Sequence, residues 1–241
     1  MFEKVEKVQI IILSVIIGLC LILSSSLISK SITKNEITVT GSAYELVKSD
    51  NAKWMINLKA SSPNRIQAYK NLEADTPVLI KFLTDNGIKE NEIEILNTSS
   101  WEDYRTGSSG YVTSEVSKYY FEKSICVKSE NVDLIKEVYL KSPELVEKGI
   151  TIGSSSPEYF YSKLSEKKPA LLEEATKDAK LRAKGMLKAT NNRVGKIRSV
   201  RMGVFQITPA DSNEVSNWGI NDSSTIEKKI TAVANVVFMI K

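Results

Sequence analysis

Apolar and polar residues alternate along several stretches of the chain, and a period of two predicts β-strands that bury one face. The clearest stretch has apolar side chains at every second position: Ala52, Trp54, Ile56, Leu58 and Ala60. The final stretch repeats the pattern on one face with Ile230, Ala232, Ala234, Val236, Phe238 and Ile240. Further strands are predicted over residues 37–40, 93–104, 112–128, 149–162 and 194–207. Gly203 is predicted to form a bulge in the last of these.

In the segments between these strands, apolar residues recur at the spacing of a helix. A first helix is predicted between the start signal at residues 61–64 and the stop signal at Asn86–Gly87, and Pro77 is expected either to kink it or to begin a second helix. A short helix is predicted over residues 131–140. The longest helix is predicted over residues 166–190, with an apolar stripe of Leu171, Leu172, Ala175, Ala179, Ala183, Met186 and Leu187.

The order of these elements predicts an α+β fold. A β-α-β-β plan is expected twice, at about residues 50–128 and 149–241, with mainly antiparallel sheet and helices packed on one face. The sequence leaves open whether the two repeats form two subdomains or one continuous sheet. The glycines of residues 107–110 predict the tip of a hairpin between two of the strands.

The N-terminal region has a different character. Residues 8–28 contain no charged side chain, and this length is sufficient for a helix that crosses a bilayer. Two interpretations fit, a cleaved signal peptide and an uncleaved transmembrane anchor, and the length favours the anchor. Residues 1–32 are therefore assigned to a cytoplasmic head and anchor, and residues 33–241 to a domain outside the cytoplasm. A single-pass protein of the cell membrane is the expected location.

The amino-acid composition excludes several classes of function. The chain has 241 residues, a formal net charge of +4 and no histidine, which excludes Ser-His-Asp catalysis, histidine zinc motifs and an imidazole pH switch. Only Cys126 lies in the exported part, because Cys20 falls in the apolar segment, so no internal disulfide forms there. We interpret Cys126 as a buried strand cysteine; a redox thiol is the alternative. The mild charge and the export segment argue against a nucleic-acid partner, and no metal site, cofactor motif or catalytic residue is identified.

Several short runs occur in a fixed order and spacing: Thr38–Gly41, Ser49–Trp54, Asn86–Ile88, Leu96–Thr98, Glu173–Lys184, Asn192–Ile197 and Gly203–Phe205. In this order and spacing they resemble the SIMPL-domain family (DUF541) of exported bacterial envelope proteins. The resemblance covers about residues 36–241. It implies an α+β fold, an extracytoplasmic location, a tendency to self-assemble and a link to oxidative stress, and it supplies no agreed catalytic residues.

Aromatic residues supply the candidate site. The candidate interface residues are Trp101, Tyr104, Tyr119, Tyr120, Phe121, Tyr159, Phe160 and Tyr161. Adjacent aromatic residues on a strand point to opposite faces, so one face of each run needs cover from a second layer of the chain, from another protomer or from a ligand. The first expectation is a non-enzymatic, membrane-tethered homo-oligomer with an envelope or stress-related role. The alternative is a binding module for a small molecule or an envelope protein, and an enzyme of unknown type is a third hypothesis.

Overall fold

The structure is a computed structural model that describes residues 13, 15–22, 24–25, 35–154 and 156–241, with the backbone alone for Ser154. The strands from residue 36 onward are β1 (Glu36–Lys48), β2 (Asn51–Ser62), β3 (Ile93–Thr106), β4 (Val112–Ser129), β5 (Thr151–Ser154), β6 (Glu158–Phe160), β7 (Val194–Met202), β8 (Gln206–Pro209), β9 (Ile220–Asn221) and β10 (Glu227–Ile240). The helices are α1 (Arg65–Asp85), α2 (Val132–Lys141), α3 (Glu144–Glu147) and α4 (Leu164–Lys188), with a 3₁₀ turn at Glu90–Glu92.

In the described part of the chain the strands form two sheets. One sheet has the order β3-β4-β2-β5, with β6 also paired to β2, and the other has the order β1-β10-β8-β9, with β7 also paired to β10. The strand pairs with a defined register are antiparallel, except β8 with β9. The predicted α+β class with mainly antiparallel sheet is confirmed, and of the two arrangements left open, one continuous sheet is wrong.

Contacts divide the described residues into two compact units. The larger unit contains residues 42–175 and 203–233. The smaller unit contains the described residues up to 41 together with residues 176–202 and 234–241. These limits cut across β1, α4 and β10, so the unit borders do not follow the predicted repeats.

The core of the larger unit lies between the β3-β4-β2-β5 sheet and helices α1 and α2. The alternating residues of β2 predicted to be apolar are all buried, together with Ile125 and Val127 of β4. Helix α1 is capped at its N-terminus by Asn64, whose side chain accepts a hydrogen bond from the Gln67 amide at 3.1 Å. It continues through Pro77 as one helix, and there the buried Thr76 hydroxyl donates to the Leu72 carbonyl at 2.7 Å.

The strand predicted over residues 149–162 is instead two short strands, and both pair with β2. Residues 151–154 pair with β2 from Lys59 to Ile56, and residues 158–160 pair with it from Lys53 to Asn51. The element that opens the second predicted repeat therefore belongs to the sheet of the first. The predicted strand over 194–207 is also divided, into β7 and β8, and between them the Gly203 amide donates to the Val233 carbonyl of β10 at 2.8 Å.

The smaller unit contains the last turns of α4, β7 and the ends of β1 and β10. Ala179 and Ala183 are fully buried, as the stripe predicts, whereas Met186 is 57% exposed and its predicted place in the stripe is wrong. Met186 lies three and seven residues after these alanines, but it projects to the solvent side of the helix. The Thr40 hydroxyl donates to the Asn235 side chain at 2.6 Å, and Arg198 bonds Glu36 at 2.7 Å.

The predicted membrane helix over residues 8–28 lies largely outside the described residues. Residues 13, 15–22 and 24–25 of it are described, and they are helical. Among the residues that the structure describes, no helix has both the length and the apolar content required for a membrane span.

Candidate functional site

The β3–β4 hairpin reaches beyond the rest of its sheet. Strand β2 pairs with β4 as far as Ser62, which lies opposite Tyr119. From there to the tip, β3 and β4 have no other strand partner among the residues that the structure describes. At the tip the Gly107 amide bonds the Tyr111 carbonyl at 2.9 Å, and Gly110 has a φ of 79°, a conformation that favours glycine. The predicted hairpin tip is confirmed. We call residues 101–120 the hairpin arm.

One face of the arm carries a stacked aromatic pair. Trp101 and Tyr120 lie opposite each other in the strand register, and their ring centroids are 5.4 Å apart with planes inclined by only 2°. Trp101 remains 43% exposed. Stacked pairs of this kind stabilise a strand pair beyond their area burial, so this pair strengthens the base of the arm, where Tyr120 also lies opposite Ser61 of β2.

Helix α1 packs against the other face of the hairpin, at the base of the arm. Phe121 meets the ring of Tyr69 edge-on at 5.6 Å, and Lys123 donates to Glu73 at 2.8 Å. The Lys123 side chain is nearly buried, and its hydrogen bond lowers the pKa of the Glu73 carboxyl. These contacts belong to the chain's own core, so Phe121 is covered by a second layer of the same protomer.

Further out, the arm exposes both charged and apolar side chains. The Tyr104 hydroxyl donates to Glu102 at 2.8 Å, and this carboxylate raises the pKa of Tyr104. Arg105 and Glu115 pair across the strands at 3.5 Å. Every residue of β3 from Glu94 to Thr106 is exposed, and the large apolar members of the hairpin surface are Ile95, Leu96, Trp101, Tyr104, Tyr111 and Val112.

A small cavity of about 310 Å³ lies against the arm. Its walls are formed by Arg65, Ser100, Trp101, Glu102, Tyr104, Tyr119, Tyr120 and Phe121. Its volume is at the lower limit for small-molecule sites, and the guanidinium and the carboxylate supply the charged groups at its rim. The structure thus brings Trp101, Tyr104, Tyr119, Tyr120 and Phe121 together, as candidate residues of one site.

The outer edge of the hairpin is irregular. The register of β3 against β4 shifts between Ile95 and Thr98, between Asp103 and Tyr104, and between Tyr104 and Thr106. Bulges and charged residues at a sheet edge hinder the addition of another strand. The faces of the arm are therefore better suited to a contact than its edge.

The third aromatic run lies elsewhere. Tyr159 pairs with Ala52 in β6 and is buried in the core, and burial raises the pKa of its hydroxyl. Phe160 and Tyr161 are partly exposed. The structure does not bring this run to the hairpin arm, and Tyr159 faces its own protomer.

Cys126 is 1% exposed in β4, between the core residues Ile125 and Val127. The nearby Lys128 is bonded to Glu94 at 2.9 Å. Burial of the thiol favours the prediction of a buried strand cysteine over a redox role. In the described residues no group of three or more Asp, Glu or Cys side chains is placed to hold a metal ion.

The sequence model of the SIMPL family, described as a protein of unknown function (DUF541), matches residues 37–238. The chain belongs to the SIMPL family. This confirms the resemblance over almost the same range. A search of curated proteins gives no significant match.

The SIMPL match includes the whole hairpin arm and the strands of both sheets, apart from the first residue of β1 and the last two residues of β10. Sequence reasoning found the aromatic residues of the arm, but it missed Arg65, Ile95 and Leu96 at the same surface. Ile95 carried the signal of a buried strand residue, and its exposure follows from the edge position of β3. Arg65 begins α1 and reaches the cavity only through the packing of α1 on β4, which no local pattern encodes.

Proposed function

We propose that this SIMPL chain is a non-enzymatic assembly protein of the cell envelope that associates with further copies of itself through the hairpin arm. Residues 8–28 anchor it in the membrane, and residues 33–241 lie outside the cytoplasm. The observation that carries the proposal is the arm itself, a hairpin that extends beyond the end of β2 and whose apolar and aromatic side chains are exposed. Exposed apolar patches of this kind are typical of interaction surfaces.

Two features favour a second copy of the chain as the occupant. The arm combines aromatic side chains, which are enriched in interface cores, with charges of both signs. Glu102, Asp103 and Glu115 are acidic, and Arg105 and Lys118 are basic. In a two-fold contact Arg105 and Lys118 of each arm can meet carboxylates of the other arm, so the charges of the two surfaces can attract each other.

The location and the anchor rest on the sequence. The 21 uncharged residues 8–28 support a membrane anchor, and a short head with two lysines, Lys4 and Lys7, supports a cytoplasmic N-terminus. The family resemblance adds the expectation of an envelope protein that self-assembles and has a link to oxidative stress. The proposal also includes the two β-α-β-β repeats, at about residues 50–128 and 149–241, as segments of similar architecture.

Light scattering coupled to size-exclusion chromatography of the full chain in mild detergent tests the assembly. The native chain should form a discrete oligomer, and Trp101→Ala with Tyr104→Ala should reduce it to the protomer. Trp218→Ala is the matched control, because Trp218 is 93% exposed in a loop outside the arm, and it should leave the oligomer intact. A native chain that remains monomeric at high concentration contradicts the proposal.

The alternative is a binding module for a small molecule or an envelope protein, and the 310 Å³ cavity at the arm favours it. The two functions differ in the role of Trp101. A binding module predicts a monomer in which Trp101→Ala leaves the folding and the mass unchanged and abolishes ligand capture.

A further inference from the structure

A second cavity, separate from the hairpin arm, has no role in the proposed assembly. It measures about 570 Å³ and lies within the larger unit, between helix α2, the segment before β6, the end of β8 and the loop that leads into β10. Cavities of a few hundred Å³ with mainly apolar walls and a few polar groups are typical of small-molecule sites.

The floor of this cavity is aromatic and rigid. Tyr139 of α2 and the buried Tyr159 of β6 line it, together with the buried Pro157. Tyr139 meets the fully buried Trp54 edge-on at 5.7 Å, and its hydroxyl lies 3.4 Å from the Ser156 hydroxyl. These contacts fix the rings before any ligand enters, so little conformational freedom is lost on binding.

The wall formed by residues 224–227 is held in place by a buried ion pair. The Lys228 ammonium is 1% exposed and bonds Asp222 through its carboxylate at 2.9 Å and its carbonyl at 2.6 Å. The same carboxylate accepts bonds from the Ser224 and Thr225 hydroxyls. The hydroxyls of this wall therefore already have partners, and they are not the groups that recognise a ligand.

Three charged side chains remain at the cavity. Lys136 lies on α2, whereas Asp211 and Glu227 lie at the end of β8 and the start of β10, where the Ala210 amide bonds the Glu227 carbonyl at 3.3 Å. None of the three has an ion-pair partner within the part of the chain that the structure describes. Lys48, whose charge also acts on Glu227, is already bonded to Asp133 at 2.5 Å.

The cavity thus has one ammonium on its helix wall and two carboxylates on its strand wall, above an apolar aromatic floor. We propose that it binds an amphipathic zwitterion, an amino acid or short peptide with a large apolar side chain. The ligand carboxylate bonds Lys136, the ligand ammonium bonds Asp211 and Glu227, and the apolar side chain packs on Tyr139, Pro157 and Tyr159. Charge-assisted hydrogen bonds of this kind fix the direction in which the ligand lies.

Titration calorimetry of the full chain in lipid nanodiscs, with empty nanodiscs as the blank, tests the proposal. The probe is the dipeptide Leu-Phe, and its C-terminal amide and N-acetyl derivatives each remove one charge. The dipeptide should bind with one site per chain, each derivative about 10-fold more weakly. Diglycine has both charges but no apolar side chain, and it should bind more weakly than any of them.

A thermodynamic cycle that pairs each protein variant with a blocked dipeptide separates ligand recognition from a general effect on the fold. Lys136→Met should weaken the unblocked dipeptide about 10-fold and leave binding of the amide unchanged, because the amide has no carboxylate to lose. The double variant Asp211→Asn with Glu227→Gln should weaken binding of the unblocked dipeptide and leave binding of the N-acetyl form unchanged. Lys70→Met, at an exposed position of α1, is the control and should change neither.

Three outcomes overturn the proposal. The first is the absence of binding of Leu-Phe at millimolar concentration. The second is equal affinity for the unblocked and blocked dipeptides. The third is an equal loss for dipeptide and amide in Lys136→Met.

Discussion

Tyr120 and Phe121 are consecutive residues of β4, and their rings contact different elements. Tyr120 stacks on Trp101 at 5.4 Å, whereas Phe121 meets Tyr69 of α1 at 5.6 Å. The chain therefore covers one face of the hairpin with its own helix and leaves a stacked pair exposed on the other. This asymmetry at the base of the arm is what the proposed contact with a second copy requires.

Loss of Asp222 should destabilise the loop that leads into β10. Burial alone would raise the pKa of this carboxyl, but hydrogen bonds from Ser224, Thr225 and Lys228 together hold it well below its usual range. Asp222→Asn leaves the buried Lys228 ammonium without an anion, and we expect a loss of about 3–5 kcal/mol in the free energy of unfolding. Urea unfolding at neutral pH measures this.

The same carboxylate predicts a pH dependence. A carboxyl whose pKa is lowered in the folded state contributes stability above its unfolded pKa, and this is lost as the pH falls through the folded value. The free energy of unfolding of the native chain should therefore decline below about pH 4. That of the Asp222→Asn variant should decline less steeply over the same pH range. Asp85→Asn is the control, because its partner Lys81 is itself exposed. Equal acid slopes in native chain and Asp222→Asn would contradict this interpretation.

A larger side chain at Ala179 should overpack helix α4. Ala179 is fully buried, so the three added carbons of Ala179→Leu must be fitted into a packed interface, which should cost about 1–3 kcal/mol in the free energy of unfolding. Met186→Leu, on the exposed side of the same helix, should change it by less than about 0.5 kcal/mol. Denaturant midpoints of both variants measure the difference, and equal midpoints would show that this face is not closely packed.

The thiol of Cys126 should be unreactive in the native protein. It is 1% exposed, and a thiol reagent reaches it only when the strand opens. In a Cys20→Ser background, labelling under native conditions should be slow and should become rapid in urea. Rapid labelling of the native chain would revive the redox hypothesis.

The sequence predicts the helices and strands of this fold better than it predicts which strands pair with one another. The alternation in β2 and β10 and the alanines of α4 report burial directly, because the apolar positions that they mark are buried, apart from the partly exposed Ile240. Pairing is not encoded in that way. Residues 151–154 look like the first strand of a second repeat, yet they add to β2.

The candidate site shows the same limit. Trp101 and Tyr120 are predicted as site residues from their type, and their opposition in the register brings them together. Lys136 and Asp211 carry no sequence signal, since isolated charges between apolar residues are typical of solvated surfaces. Their convergence at one cavity follows from the tertiary packing of α2 and β8 within the larger unit.

Cross-linking between arms tests the central claim most directly. Ser114 is exposed in the arm and Asn217 is exposed outside it, and the buried Cys126 does not compete for the reagent. In the membrane-anchored full chain with Cys20→Ser, a short bismaleimide should link Ser114→Cys into dimers and should not link Asn217→Cys. Addition of Trp101→Ala should abolish the dimer. Equal linking at both positions, or none at Ser114→Cys, would contradict assembly through the arm.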